Sequence, residues 1–132
     1  MNMKRFMVAA ITAFVFVFLY ELLVHGMLMM EQYEQTASVW RPEEESSMGI
    51  MLVSQFLFGA AVAFFYPIVG LDTDDCKKAI PFGIGLGLVM AMPQLASYSY
   101  LPIPLTLSLY WMLITFVKAL LCGVIVSKVY NW

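Results

Sequence analysis

Apolar residues fill four long stretches of the chain almost without interruption, and polar residues gather in the three short intervals between them. The apolar runs cover residues 5–30, 49–69, 79–98 and 105–126. Each has about the 20 residues that a helix needs to cross a hydrocarbon core. In lipid every backbone amide must find its partner within its own segment, which a helix achieves. The predicted fold is therefore all-α, a four-helix transmembrane bundle of two hairpins forming a single integral membrane domain over residues 1–132. The first interval, 31–47, is acidic and carries Trp40-Arg41-Pro42. The second, 70–78, holds Asp72, Asp74, Asp75, Lys77 and Lys78, and in the third Pro102 and Pro104 stop a continuing helix.

Composition reinforces the pattern. The chain is 62 % hydrophobic and 12 % charged, with a mean hydropathy of +0.83. Soluble domains average about 45–50 % apolar and about 25 % charged, so most of this chain must face something other than water. Its formal net charge of -2 offers no basic field for nucleic acid. Lys4 and Arg5 resemble the start of a signal peptide, but the apolar run behind them exceeds the usual core of about 7–15 residues. No small-residue cleavage site follows; Tyr20-Glu21-Leu22-Leu23-Val24-His25 stands there instead. A retained first helix is expected.

Orientation follows from the basic residues. Lys4, Arg5, Lys77, Lys78 and Lys128 fall on one side and Arg41 on the other. Lys and Arg are held on the cytoplasmic face, which predicts both termini inside and a multi-pass protein of a bacterial inner membrane. Tyr33 and Trp40 on one side, with Tyr66, Tyr130 and Trp132 on the other, suit the aromatic belts.

Polar side chains within the runs are the candidates for chemistry, because ionisable groups at membrane depth are costly. They are Glu21, His25 and Lys118, joined by the neutral Gln55 and Gln94. At about 1.5 Å of rise per residue, Glu21 lies roughly 13 Å below the outer surface, with Gln55 and Gln94 at a similar level. Lys118 is roughly 21 Å down, with a stem long enough to approach Glu21 or to reach the cytoplasmic interface. Glu21 and His25, four apart, share a helical face. In one reading the five residues line a polar pocket open to the outside, handling a proton or a cation. In the other, Glu21 pairs with Lys118, the glutamines bridge helices and His25 sits in the interface.

Other features add packing and surface candidates. Gly83 and Gly87 form a small-residue face continued by Ala91, while Gly59 and Gly123 give weaker versions that allow close helix approach. Leu57, Gly59, Val62 and Tyr66 recur at a constant offset as Leu121, Gly123, Val126 and Tyr130, as chance or as a parallel duplication about an axis along the membrane normal. Trp40, Arg41 and Glu43 form a candidate docking patch, and equally a helix cap with an interface anchor. Pro93 is expected to bend the third helix just before Gln94. The eleven methionines read as apolar filler. Cys76 and Cys122 are expected at different depths, with no disulfide. One histidine and no nearby cysteine leave no metal site and no bis-histidine haem, and no nucleophile–base arrangement indicates an enzyme. No cofactor is expected.

His25-Gly26, Tyr33, Trp40-Arg41-Pro42-Glu43, Leu101-Pro102-Ile103-Pro104, Trp111 and the Gly123 helix together span most of the chain. In these the chain resembles an uncharacterised group of short bacterial four-helix inner-membrane proteins, a resemblance that carries no activity with it. Two functions are thus expected to compete. The first is a non-catalytic accessory or assembly subunit packing against a membrane partner or itself. The second is a small oligomeric carrier or channel using the polar cluster.

Overall fold

The computed structural model describes residues 2–69 and 76–131. Helix α1 (Met3–Leu23) starts behind Asn2, whose side-chain oxygen accepts the Lys4 and Arg5 amides at 3.1 and 3.2 Å. It runs into a wider π-turn over Val24–Leu28 and then into the short α2 (Met30–Gln35). Single 3-10 turns at Ala37–Val39 and Glu43–Glu45 lead to α3 (Met48–Ile68), capped by Ser47, which accepts the Ile50 amide at 3.3 Å. Pro42 therefore opens the Glu43–Glu45 turn, and the three glutamates stand before α3 instead of in its first turn. Helices α4 (Cys76–Ala96) and α5 (Leu105–Tyr130) complete the chain. Lys77 and Lys78 fall in the first turn of α4, whereas Asp72, Asp74 and Asp75 lie outside the described residues. Pro81 and Pro93 are both accommodated within α4.

Four helical segments are long and apolar enough to cross a membrane: Met3–Leu28, Met48–Ile68, Lys77–Ser99 and Leu105–Tyr130. The fourth runs past Val126 to Tyr130. Large apolar side chains such as Leu19, Leu57, Phe65, Val89 and Leu113 remain exposed on the bundle's outside. In water such a surface would be untenable; in lipid it costs nothing. The chain is a small multi-pass membrane protein.

Packing follows the small residues. A Cβ on Gly83 would meet the Leu120 carbonyl oxygen at 2.9 Å, and one on Gly123 would meet Gly83 Cα at 3.2 Å, so α4 and α5 touch backbone to backbone. Gly87 faces Phe116, and Gly59 brings α3 onto Ala13 and Phe14 of α1. All four glycines are thus spent inside the bundle. Ala9, Ala10, Ala13 and Val17 form the inner face of α1.

The repeated pattern meets itself in space. Tyr66 and Tyr130 stack with ring centroids 5.7 Å apart. Tyr66 donates to Ser127 Oγ at 2.7 Å, and Tyr130 donates to the Ala63 carbonyl at 2.8 Å. Ser127 is to Ala63 as Tyr130 is to Tyr66 in the sequence offset, so matching residue pairs meet, although one tyrosine donates to a side-chain oxygen and the other to a backbone carbonyl. The halves differ elsewhere. α1 packs on α3, α4 on α5, and α1 on α5, but the matching pair, α3 and α4, makes little direct contact among the described residues.

Candidate functional site

The π-turn is the local feature on which the site rests. At its close the Met29 amide reaches back five residues to the Val24 carbonyl at 3.0 Å. A π-turn absorbs one extra residue without breaking the helix. Tyr33, eight residues after His25, consequently takes the place that a seventh residue holds on a regular helix, on nearly the same face. Its hydroxyl hydrogen-bonds His25 Nδ1, with the two rings stacked at 5.9 Å.

From there a polar chain runs into the span. His25 Nε2 lies 3.0 Å from Glu21 Oε2, and Lys118 Nζ donates to Glu21 Oε1 at 2.5 Å. Trp111 Nε1 donates to the Tyr33 hydroxyl at 2.9 Å. An ionised carboxylate only accepts, so His25 Nε2 is the donor to Glu21. A neutral ring then accepts from Tyr33 at Nδ1, whereas a cationic ring donates there. Trp111 N–H donates to Tyr33 at one end of the chain, and Lys118 closes the other. Lys118 also approaches the Phe58 ring, 5.8 Å from its centroid.

Tyr33 stands in α2, beyond the apolar run. Burial pushes its hydroxyl above the ordinary phenol value of 10.0; the Trp111 hydrogen bond opposes the shift and the Glu21 charge adds to it. Its ring is held edge-on to Trp40 at 5.5 Å, and Trp40 lies 5.6 Å from Trp111. The Trp40 indole donates to Thr36 Oγ1 at 3.0 Å. Trp40 is therefore built into the cap over the network, while its neighbours Arg41 and Glu43 are exposed. Val24, Met29, Ile103 and Leu107 form the apolar core beneath this cap.

Glu21, His25 and Lys118 also stand as a wall shared by two cavities. The larger, about 740 Å³, lies mainly between α1 with its π-turn and α3, with Met90 of α4 and Lys118 of α5 completing its wall. Its lining is mostly apolar, including Phe18, Phe58, Met51 and Met90, with Gln55 and Ser54 adding polar groups. Leu22, Met48 and Met51 on its rim are exposed, so it opens toward the bundle surface. The smaller, about 270 Å³, is lined by Gln94, Thr115, Tyr33 and Trp111. All five polar residues singled out in the sequence thus reach one locality, three directly bonded and the two glutamines on opposite sides. Gln55 does not bridge helices: it is 8 % exposed and its Oε1 has no partner.

Tyr33, Trp111 and Thr115 belong to the site without having stood out as members of it. A tyrosine near a membrane boundary reads as a belt residue, and only the π-turn turns it toward His25. Among the described residues, no group of three or more His, Cys, Asp or Glu is arranged to hold a metal ion. Cys122 is a buried free thiol one helical turn beyond Lys118 on α5. Comparison with known proteins gives no matching family model, no matching curated protein and no matching solved structure.

Proposed function

We propose that this protein is a small membrane carrier that takes a lipid-soluble cargo into the larger cavity and holds its polar end against Glu21, His25 and Lys118. One observation carries the reading: the ionised groups wall an open cavity of about 740 Å³ instead of lying in a dry, close-packed core. A purely structural ion pair gains nothing from an adjoining void, because buried pairs need dense surroundings and full hydrogen bonding to offset desolvation. Pockets that bind small molecules are mostly apolar with a few convergent polar groups, which describes this lining. On this reading the termini are cytoplasmic, the cavity lies in the outer half of a bacterial inner membrane, and α1–α3 and α4–α5 act as two hairpins.

Uptake into proteoliposomes tests it. Neutral, cationic and anionic lipid-soluble fluorescent probes are offered to the wild-type chain and to Glu21→Gln and Lys118→Met. At least one probe is expected to enter faster with the wild-type chain than with either variant. Equal rates for every probe in all three preparations overturn the carrier reading.

An accessory role is the second reading. The small-residue faces that favoured it are consumed by internal contacts of Gly59, Gly83, Gly87 and Gly123. Its remaining support is the exposed segment Arg41, Glu43, Glu44 and Glu45. Substituting Arg41 and Glu43 with alanine would then abolish co-purification with a membrane partner or a second copy, while leaving probe uptake unchanged.

A further inference from the structure

The wall shared by the two cavities holds two basic side chains and one acid, Glu21. We infer that the larger cavity takes an amphiphile with an anionic head group, and takes it together with one proton bound by His25. The inference rests on reading this cavity as the cargo site. It adds the charge of the cargo and the ion that accompanies it.

His25 is placed to exist in two charge states. Imidazole is the side chain that gains and loses a proton near neutral pH. The His25 side chain is 32 % exposed and lines the smaller, polar cavity as well as the larger, so water reaches it. Both ring nitrogens have partners that suit either state. Glu21 accepts from Nε2 whether the ring is neutral or cationic. At Nδ1 the Tyr33 hydroxyl donates to the neutral ring and accepts from the cationic one. In the second case the Tyr33 oxygen accepts from both Trp111 and His25, and its own hydrogen needs a new acceptor. Met29 Sδ, 4.0 Å from that hydroxyl, supplies it. A turn of one O–H bond thus accommodates the change of charge.

The chain does not supply a counter-charge for the cationic ring. Around His25 stand Glu21 on α1, Tyr33 on α2 and Lys118 on α5. Among the described residues, α3 and α4 add only neutral groups to the two linings, the polar ones being Ser54, Gln55 and Gln94. Tyr20, next to Glu21 in the chain, commits its hydroxyl to the Ile114 carbonyl at 2.9 Å. Glu21 is therefore the one carboxylate among the described lining residues, and Lys118 already neutralises it at 2.5 Å. With a neutral ring the wall carries no net charge; with a cationic ring it carries one positive charge. An unbalanced charge beside an apolar lining is costly, and an anion in the cavity offsets it. A cationic head meets no free counter-charge in either state. A neutral head gains nothing from the proton.

The rest of the lining sets the body of the ligand. Phe18, Phe58, Met51 and Met90 are apolar, so the anion must carry hydrocarbon to fill the space. Leu22 and Met48 are exposed on the rim, which lets a tail extend from the cavity along the outside of the bundle.

Binding to the full-length chain in phosphatidylcholine nanodiscs, measured against empty discs, tests the assignment with three probes. They are an alkyl sulfonate, an alkyl trimethylammonium salt and an alcohol of equal chain length. None of these heads titrates between about pH 5.5 and about pH 8, a range that brackets the usual imidazole transition, so a pH dependence belongs to the protein. The sulfonate is expected to bind at least about tenfold more tightly at the lower pH, as linkage to one proton requires, and the other two are expected to show no such gain. In His25→Gln the gain is expected to vanish. Equal sulfonate binding at the two pH values overturns the inference, as does a gain that survives in His25→Gln or is shared by the ammonium probe. A second measurement needs no variant. Linkage is reciprocal, so saturating sulfonate at neutral pH is expected to shift the 15N signals of His25 toward imidazolium. Bound sulfonate that leaves the charge of the ring unchanged overturns the inference. Adding phosphatidylglycerol to the discs separates the sources of the anion: lost sulfonate binding assigns the site to a bilayer lipid, and unchanged binding assigns it to a free amphiphile. The carrier reading fails separately. Proton-linked sulfonate binding without Glu21-dependent uptake removes transport and leaves the ligand, whereas Glu21-dependent uptake without proton-linked binding does the reverse.

Discussion

At the scale of single residues, the network couples a charge pair to a ring to a phenol, and each link predicts a measurable cost when cut. Glu21→Gln leaves the Lys118 ammonium without its counter-charge, and Lys118→Met strands the carboxylate. Each is expected to lower stability by about 1–3 kcal/mol in detergent unfolding. The double variant is expected to recover at least about 0.5 kcal/mol of the summed loss, the signature of a direct pair. Strict additivity would mean that the two groups do not interact. Tyr33 gives a pH-dependent test. Burial raises its hydroxyl above the ordinary phenol value of 10.0, so folding favours the neutral form. Its contribution is therefore complete below that value and is lost as pH rises through the higher folded value. Wild-type stability is expected to fall more steeply on alkaline titration than that of Tyr33→Phe. The five polar candidates could be read from the chain because polar groups in apolar runs announce themselves. Helical rise left Lys118 able to approach Glu21 or to reach the cytoplasmic interface, and the structure pairs the two. Which way Gln55 turns was not legible, since a glutamine at this depth is equally suited to bridging helices.

At the scale of elements, two devices place those residues. The first is close helix contact at glycine. Gly83→Ala sets a methyl group 2.9 Å from the Leu120 carbonyl oxygen, a backbone atom that cannot swing aside. The substitution is expected to cost about 1–3 kcal/mol by overpacking. Gly85→Ala meets nothing within 4 Å and is expected to be neutral or to stabilise α4 by up to about 1 kcal/mol. Thermal unfolding of the two variants side by side checks both, and equal effects would contradict this account of α4–α5 packing. These faces were legible as small residues at helical spacing, which serves contacts within or between chains; internal packing is the favoured use, and the four glycines make it. The second device is the π-turn at Val24–Leu28. It has no residue signature, and an apolar run through it looks like one straight helix to Met30. Counting regular turns puts Tyr33 roughly 80° away from His25, and only the extra residue restores the alignment.

At the scale of the molecule, Tyr66 and Tyr130 join the halves by stacking, and the larger cavity opens mainly between α1 and α3. The four spans follow directly from the apolar runs, since length and composition are what lipid demands of a helix. The cavity was not foreseeable, because its walls come from four different helices whose relative placement the apolar runs leave open. Everything functional depends on the continuity of the network at its edge, and the single histidine makes that continuity directly measurable. With 15N-labelled histidine in bilayers at neutral pH, solid-state NMR reads both ring nitrogens of His25 and no others. The network requires Nε2 protonated toward Glu21, and a changed Nδ1 signal in Tyr33→Phe. A ring that averages between tautomers like free imidazole, unaltered by loss of the Tyr33 hydroxyl, would contradict it.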